Sequence, residues 1–289
     1  MQPFFSIIVV CFNPGSKLKQ TLVSIQKQNY SDYEVVIKDG LSDDGSLACV
    51  EEIFPGEAGG AGQERRIQLV SQKDQGIYDA MNQAVMRAKG EYVYFLNCGD
   101  WFYSDQVLSE MAEFIDGCRK EEAGMADRLG IYYGNIYERL TKQKVASNPR
   151  IDAFGCYRNV PCHQACFYAR ELLVQHPFQT KYRVRADYEQ FLWCFFVAGK
   201  EQKVRFAYHD LLIADYEGGG FSETKENRKI SAAEHKSITK IYMSRGELFR
   251  FRLVMVLSLA PLRTWIAQNE RTAGIYNKIK GFVYAVKGR

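Results

Sequence analysis

The sequence predicts an α/β protein with a doubly wound, mostly parallel sheet, helices on both faces of the sheet, and a C-terminal helical extension. Two observations predict this fold class. Strand-like apolar runs alternate four times with helical patterns over the first hundred residues, with short connections between them. Parallel neighbours need a long crossover, usually a helix, so this alternation is typical of a parallel sheet. The first run, residues 4–12, is almost continuously apolar, as expected of a strand buried on both faces.

The individual elements follow from side-chain periodicity and from breakers. Residues 13–15 (Asn-Pro-Gly) end the first strand, and Ser16 is placed to cap a helix over residues 16–28. The remaining elements of the first half are strands at 33–38, 67–71 and 92–96 and helices at 45–54 and 76–89. Beyond residue 100 the looser pattern predicts strands at 131–137, 204–207 and 211–214 and helices at 170–174, 187–197 and 223–244.

The composition is that of an ordinary globular chain. Its 289 residues are 46% apolar and 25% charged, enough for one large domain or a domain with an appendage. The formal charge of +4 is too small to indicate a nucleic-acid partner, and we expect none. Eight scattered cysteines lack the paired spacing of a disulfide framework, which favours reduced thiols and a cytoplasmic location.

The basic residues are concentrated in the C-terminal tail. Residues 245–289 contain nine Lys or Arg against two Glu, so the rest of the chain is slightly acidic. The tail is also rich in apolar and aromatic residues, and Pro261 divides it into two predicted helical pieces. Such a segment either lies in the surface of an anionic membrane or packs on the core as a helical hairpin.

We expect neither a signal peptide nor a membrane-spanning helix. The chain begins almost directly with strand residues and lacks a basic n-region. The most apolar stretch, residues 253–260, is far shorter than the ~20 residues that a spanning helix needs.

Two aspartates follow apolar strands in the first half. Asp39 comes after the strand at 33–38, and Asp100 closes the sequence Asn-Cys-Gly-Asp after the strand at 92–96. In open α/β sheets, ligands bind beyond the carboxyl ends of the strands, so both carboxylates are expected to face one ligand. The first turn lacks the glycine pattern of a Rossmann site and the chain has no P-loop, which counts against dehydrogenases and ATPases.

Four segments together resemble the family 2 inverting glycosyltransferases. Their order and spacing match that family at residues 5–13, 36–42, 74–82 and 90–100. The resemblance implies the GT-A fold, a nucleotide-sugar donor and a Mg²⁺ or Mn²⁺ ion. A thinner likeness to members that build bacterial surface polysaccharides rests on residues 161–164, 186–189 and 218–222.

The resemblance also implies a division of the chain. We expect a catalytic domain at 1–222, with a nucleotide-binding half at 1–100 and an acceptor half at 101–222. A basic helical extension would follow at 223–289.

Several residues of the first half match donor-binding positions of the family. The resemblance implies that Asp39 contacts the base or ribose, whereas the simple alternative is an Asp-Gly turn that closes a strand. Asp74 lies by the nucleotide in the family, and its simple alternative is a helix N-cap. Asn13, Gly76 and Asn97 are the other donor-side residues that the motifs include.

The segment 97–100 stands where the family has its metal-binding Asp-x-Asp motif, but departs from it. Asn97 and Gly99 replace both carboxylates of the motif, so Asp100 is the single candidate ligand. One carboxylate and two donor phosphates can still hold Mg²⁺, and we expect weak metal binding without the donor. The alternative is a polar loop after a strand.

The resemblance implies that Asp187 is the base that deprotonates the acceptor hydroxyl. Glu189 is the fallback, and the simple alternative for Asp187 is an acid in the first turn of a helix. His163 lies on the acceptor side and would bind a hydroxyl or phosphate, unless it only belongs to a cysteine-rich turn. Ser222 follows three glycines at 218–220, a segment that is either a lid over the diphosphate or a plain flexible loop.

The sequence therefore predicts a cytoplasmic inverting glycosyltransferase, with the surface of the inner membrane as a further expected location. We expect it to transfer a sugar from a nucleotide-diphosphate donor, a UDP-sugar, to a lipid-linked saccharide acceptor. Two rival hypotheses are a non-catalytic module that binds sugar nucleotides or glycans, and a sugar nucleotidyltransferase. The second rival lacks its usual Gly-rich, basic phosphate loop after the first strand.

Overall fold

A computed structural model describes residues 2–59, 66–121, 129–201, 204–218 and 224–257. The strands are β1 (Phe5–Cys11), β2 (Tyr33–Asp39), β3 (Ala58–Gly59), β4 (Ile67–Ser71), β5 (Tyr92–Phe95), β6 (Trp101–Phe102), β7 (Gly130–Glu138), β8 (Gln143–Val145), β9 (Cys166–Ala169) and β10 (Arg205–Tyr216).

The helices alternate with these strands in the first half and cluster at the C-terminal side. They are α1 (Lys17–Gln26), α2 (Ala48–Ile53), α3 (Ile77–Val85), α4 (Val107–Glu121), α5 (Ala153–Arg158), α6 (Arg170–Gln175), α7 (Ala186–Trp193), α8 (Gly199–Glu201), α9 (Lys225–Tyr242) and α10 (Arg245–Leu257). A 3₁₀ turn at His163–Ala165 precedes β9, and a π-helical segment at Cys194–Ala198 joins α7 to α8.

The described strands form one sheet in the order β3-β4-β2-β1-β5-β9-β7-β10-β6, with β8 paired to β7. Strands β4, β2, β1 and β5 are parallel to one another. β9 runs antiparallel between β5 and β7, while β7 and β10 are again parallel. The prediction of a mostly parallel α/β sheet with a helical C-terminal region is confirmed.

The parallel half of the sheet is the part that the sequence predicted best. β1 and β2 are buried along almost their whole length, as a strand covered by helices on both faces requires. α1 buries Leu18, Leu22 and Ile25, and α3 buries Ala80, Met81 and Ala84, in each case one apolar stripe of the helix. Ser16 lies at the N-cap position of α1, but its side chain does not make the cap hydrogen bond that we predicted.

The second half contains several elements that the sequence did not predict, among them β6, β8 and α5. The 15-residue helix α4 was not predicted, although Leu108, Met111 and Ile115 lie on one buried face. The short strand β9 was not predicted either. The two strands expected at 204–207 and 211–214 are one strand, β10, because register shifts between Tyr208 and Leu212 accommodate the polar residues that interrupt the apolar pattern.

The first part of the tail packs on the rest of the fold. In α10, Leu248 and Phe251 are buried, and the Phe251 ring contacts Phe154 and Tyr157. The rest of the predicted tail, residues 258–289, lies outside the described residues. Within the described helices, none is both long enough and apolar enough to cross a membrane. The predicted division at residues 100 and 222 stays a prediction, and strands from both predicted halves share one sheet.

Candidate active site

The carboxyl ends of the parallel strands define one edge of the sheet. Cys11 at the end of β1 pairs with Asp39 at the end of β2, and Asn97 follows the neighbouring strand β5. Because β9 is antiparallel to β5, the start of β9 lies at this same edge. The turn that contains His163 directly precedes β9, so the topology brings His163 to the residues that follow β5.

A cavity of about 580 Å³ opens at this edge. Its walls come from the ends of β1, β5 and β10 and from the beginnings of α1, α3 and α7. Five residues predicted from the sequence line it, namely Asn13, Asn97, Asp100, His163 and Asp187. The structure therefore brings the predicted base and the predicted metal ligand to one cavity, although they are 87 positions apart in the sequence.

Asp187 is a partly exposed carboxylate held by two side chains. Its Oδ1 accepts a hydrogen bond of 2.9 Å from the Tyr78 hydroxyl, and its Oδ2 lies 3.3 Å from Nδ1 of His163. Burial alone would raise the pKa of Asp187, but the hydrogen bonds from His163, Tyr78 and the Tyr188 backbone outweigh burial and lower it. The carboxylate is therefore ionised at neutral pH and able to accept a proton.

His163 connects Asp187 to the segment that replaces the metal motif. Its Nε2 lies 3.0 Å from Nδ2 of Asn97, and its Nδ1 faces Asp187. If the Asn97 amide donates to Nε2, the ring proton is on Nδ1 and points to the carboxylate; this tautomer follows from the hydrogen-bond pattern. Both ring nitrogens of His163 thus have protein partners. The sequence did not predict that one of these partners is Asp187, the candidate base.

Tyr78 is a site residue that the sequence analysis missed. Its hydroxyl donates to Asp187 and is also 2.8 Å from the carbonyl of Val184, so it fixes the start of α7 against α3. Tyr78 lies inside the matched segment 74–82, which was the available signal.

Asp100 is almost fully buried, with 4% of its surface exposed. Its Oδ2 accepts a hydrogen bond of 2.9 Å from Gln164, and its Oδ1 accepts one of 2.8 Å from the backbone N–H of Glu217. Burial raises its pKa, against the effect of these two hydrogen bonds. Asp100 therefore ties the segment that follows β5 to the end of β10.

An ion pair lies at the mouth of the cavity. Nζ of Lys17, at the start of α1, is 2.8 Å from Oε2 of Glu217, and both side chains are about half exposed. Gly99 lies beneath this pair with φ +100°, and a Cβ added there would come within 2.9 Å of Glu217 Oε2. This backbone conformation favours glycine, which fits the absence of the motif's second carboxylate at position 99.

Asp39 lies at the same edge but behind the wall of the cavity. Its fully buried carboxylate accepts hydrogen bonds from the Leu41 and Ser42 backbone N–H groups, at 3.1 and 3.0 Å, and from the Ser71 hydroxyl at 2.6 Å. Burial would raise its pKa, but the bonds from Ser42 and Ser71 lower it. In this arrangement Asp39 closes a turn, as in its simple alternative. Cys11 lines the cavity, and its thiol is 3.8 Å from Asp39 Oδ1.

Asp74 forms a buried ion pair beside Asp39. Its Oδ2 lies 2.8 Å from Nζ of Lys38, which is 1% exposed and also donates to the backbone carbonyls of Asp39 and Gln72. Asp74 does not cap α3, because the cap position is Gly76 with φ +116°, whose N–H donates to Asp74 at 3.1 Å. The pair fixes the ends of β2 and β4 together.

Asn13 joins the loops that follow β1 and β2. Its backbone has φ +45°, its side-chain oxygen accepts from the Asp43 N–H at 3.0 Å, and its own N–H donates to Ser42.

Glu189, the fallback base, is excluded by its position. Its buried carboxylate contacts His176 at 3.0 Å and the Tyr242 hydroxyl. Ser222 lies outside the described residues.

The comparisons with known proteins identify the family of this chain. The family model described as "Glycosyl transferase family 2" matches residues 6–170. This chain belongs to glycosyl transferase family 2. The family 2 chain is similar to the PGL/p-HBAD biosynthesis glycosyltransferase of Mycobacterium bovis (strain BCG / Pasteur 1173P2), with 33% identity over 224 residues. The match covers 77% of this chain and 80% of that relative. The resemblance seen in the sequence is confirmed.

Solved structures show the same fold. S. aureus TarS 1–349, crystallised with UDP-GlcNAc, superposes with a TM-score of 0.59 at 18% identity, covering 91% of this chain and 78% of TarS. Glucosyl-3-phosphoglycerate synthase from Mycobacterium tuberculosis, crystallised with Mn²⁺, UDP and glucosyl-3-phosphoglycerate, gives 0.52 at 13% identity, covering 81% and 79%. At these identities the likeness establishes the GT-A fold of this family 2 member, as predicted.

The donor atoms for a divalent cation are few in this family 2 member. In the described part of the chain, no three His, Cys, Asp or Glu side chains are grouped to hold a metal ion. Asp100 nevertheless lines the cavity, and the buried amide oxygen of Asn97 has no hydrogen-bond partner. Carboxylate and amide oxygens suit Mg²⁺ and Mn²⁺, and Mg²⁺ is usually bound by one or two carboxylates with substrate phosphates. The residues fit a cation whose remaining ligands come from the donor.

Proposed function

We propose that this chain transfers a sugar from a nucleoside diphosphate sugar, a UDP-sugar, to a hydroxyl of a saccharide acceptor, with inversion at the anomeric carbon. One observation supports this proposal above the others: an ionised carboxylate, Asp187, and a buried carboxylate, Asp100, face the same 580 Å³ cavity. TarS was crystallised with UDP-GlcNAc, which supports a UDP-sugar donor, and the mycobacterial relative is named for PGL/p-HBAD biosynthesis.

On the acceptor side, Asp187 would take the proton of the attacking hydroxyl. His163 and Tyr78 would act through Asp187 as positioning residues, because each donates to one of its oxygens and limits its rotation. As long as His163 keeps its contacts with Asn97 and Asp187, neither of its ring nitrogens is available to bind a substrate group.

On the donor side, we propose that the nucleoside binds over the ends of β1 and β2. Asn13 would contact it directly, and Asp39, Asp74 and Gly76 would shape the loops that receive it. Direct contact of Asp39 with the base would require the Cys11 side chain to move aside. Ser222, beyond the described part of the chain, keeps its predicted place on the diphosphate side as part of this proposal.

Asp100 and Asn97 would hold a Mg²⁺ or Mn²⁺ ion together with the donor's diphosphate. When bound, such an ion neutralises the negative charge that develops on the leaving diphosphate. Lys17 at the cavity mouth is a further cation in reach of a bound diphosphate, because it lines the same cavity.

The donor assignment is tested by release of the nucleotide from a panel of sugar nucleotides without added acceptor. We expect slow release of UDP from one or a few UDP-sugars and none from GDP-sugars. If no sugar nucleotide is hydrolysed or transferred but one binds tightly, the non-catalytic module, kept open by the altered metal motif, becomes the better hypothesis.

We further propose that α10 rests on the surface of an anionic membrane, which would present a lipid-linked acceptor at the cytoplasmic side. Phe249, Leu253 and Leu257 are exposed on a helix that also carries Arg250 and Arg252. Exposed apolar side chains interleaved with arginines are typical of helices that bind such surfaces. We also propose that the catalytic domain ends at residue 222 and that the basic helical extension begins at residue 223.

We expect the protein to float with vesicles that contain phosphatidylglycerol and not with pure phosphatidylcholine vesicles. The double variant Phe249→Ser/Leu253→Ser should lose flotation without unfolding, because both side chains are exposed. Truncation before Arg245 is a poor test, since it would remove the buried Leu248 and Phe251. Failure of the wild-type protein to float would contradict the membrane proposal.

A further inference from the structure

A second cavity, of about 380 Å³, lies on the other side of Asp187. It shares Cys162, Val184 and Asp187 with the first cavity, so these three residues form the wall between the two. Its other walls come from residues 145–148, the end of α5 and the start of α7. A hydroxyl group bound in this second cavity would therefore reach the proposed base from the side opposite the donor.

The second cavity has two arginines on its lining. Arg158, the last residue of α5, is exposed, and its guanidinium carbon lies 5.9 Å from the centroid of the Phe154 ring. Among the described residues, no carboxylate lies within ion-pair distance of it. Arg185 is fixed in the wall, because its Nε donates to the backbone carbonyl and the hydroxyl of Ser231, at 3.1 and 2.7 Å.

The acidic groups near these arginines are already bound to backbone N–H groups. Asp152 accepts from the N–H of Gly155 at 2.5 Å, and Glu234 accepts from three successive N–H groups at 183–185. Asp187 is the one carboxylate that lines the cavity within the described residues, and it is held by Tyr78 and His163. Among the described residues, neither guanidinium group forms an ion pair with a carboxylate, so both can still pair with a bound anion.

We propose that the second cavity binds the acceptor and that Arg158 and Arg185 recognise an oxyanion carried by that acceptor, either a sugar carboxylate or a phosphate. This inference rests on the proposed function and adds the chemical class of the acceptor. A guanidinium group donates two parallel hydrogen bonds to a carboxylate or a phosphate, which suits both oxyanions. Anchoring an anionic group at Arg158 would leave the neighbouring sugar hydroxyl beside Asp187.

The test uses binding of small probes with the donor site filled by UDP. Methyl β-D-glucuronoside and methyl β-D-glucoside differ by one carboxylate, and methyl phosphate is the second anionic probe. In saturation-transfer NMR titrations, we expect at least one anionic probe to bind with a Kd about tenfold below that of the neutral glucoside. A tenfold ratio corresponds to the free energy of about one charge-assisted hydrogen bond. Preference for the glucuronoside identifies a sugar acid, and preference for methyl phosphate identifies a phosphate-bearing acceptor.

Arg158→Ala should remove this preference, and Arg158→Gln, which keeps the length of the side chain, should remove it too. The matched control is Arg87→Ala, because Arg87 lies beyond the end of α3 and lines neither cavity. Equal binding of charged and neutral probes to the wild-type protein, or an unchanged preference in Arg158→Ala, would overturn the inference.

The same variants separate this inference from the proposed function. The control variant Arg87→Ala should release UDP from the donor at the wild-type rate and keep the preference for anions, because Arg87 lines neither cavity. If the wild-type protein releases UDP but shows no preference for anions, only the acceptor inference fails. If it releases no nucleotide from any donor, the proposed function fails.

Discussion

Replacing Asp187 by asparagine is expected to lower kcat at least about 100-fold and to leave UDP binding unchanged. The factor is the usual contribution of a general base. An amide cannot accept the proton of the acceptor hydroxyl, but it keeps the size of the carboxylate and its acceptor oxygen toward Tyr78. The measurement is steady-state transfer together with a UDP titration of each protein. Asp105→Asn, at an exposed aspartate away from the cavity, is the control.

The pH dependence follows from the direction of the Asp187 pKa. A lowered pKa means that the carboxylate stays ionised as the pH falls, until the pH drops below the ordinary range of aspartate, roughly 4. Turnover should therefore show no acidic limb from this group between about pH 5 and 8. A variant Asp187→Asn with near wild-type kcat would remove Asp187 from the role of base.

Asp100→Asn is expected to lower transfer by roughly 100-fold or more at low Mn²⁺, because the single carboxylate of the altered motif is lost. Asparagine keeps an oxygen for the Glu217 N–H, so the tie to the end of β10 is better preserved than in Asp100→Ala. Added EDTA should abolish wild-type transfer, and Mg²⁺ or Mn²⁺ should restore it. Thermal unfolding of both variants separates loss of the ion from loss of the fold.

Full activity of the wild-type protein in EDTA would contradict the proposed role of Asp100. In that case Lys17 would be the group that compensates the diphosphate charge, since it lines the same cavity. Lys17→Ala would then reduce transfer in EDTA, whereas under metal dependence it would mainly weaken donor binding.

The sequence predicted the parallel half of the fold because local patterns were sufficient there. Continuous apolar runs identified β1 and β2, and the helices between them followed from short-range periodicity. The prediction missed α4 in spite of its local periodicity, but it missed β9 for a different reason. β9 is a four-residue strand whose identity depends on its pairing with β5 and β7, and no local signal specifies that pairing.

The sequence identified several of the candidate site residues, but it did not show which side chains contact one another in the site. Asp100 and Asp187 were each placed by a motif, but the contact between His163 and Asp187 depends on the antiparallel entry of β9. Asp39 shows the limit most clearly. Its position after β2 was visible in the sequence, but the direction of its side chain is set by Ser42 and Ser71, and the sequence alone does not show which donors a carboxylate meets.

The ion pair between Lys17 and Glu217 has a consequence for how the enzyme would respond to its ionic surroundings. An exposed pair of this kind contributes only about 0–1 kcal/mol, so an incoming diphosphate can take over the lysine at little cost. Glu217 would then be freed next to Asp100, to which its backbone is bonded. Added salt screens the attraction of Lys17 to Glu217 and its attraction to a bound diphosphate. The affinity for the donor should therefore fall steadily as the ionic strength rises, even though salt does not change the catalytic groups.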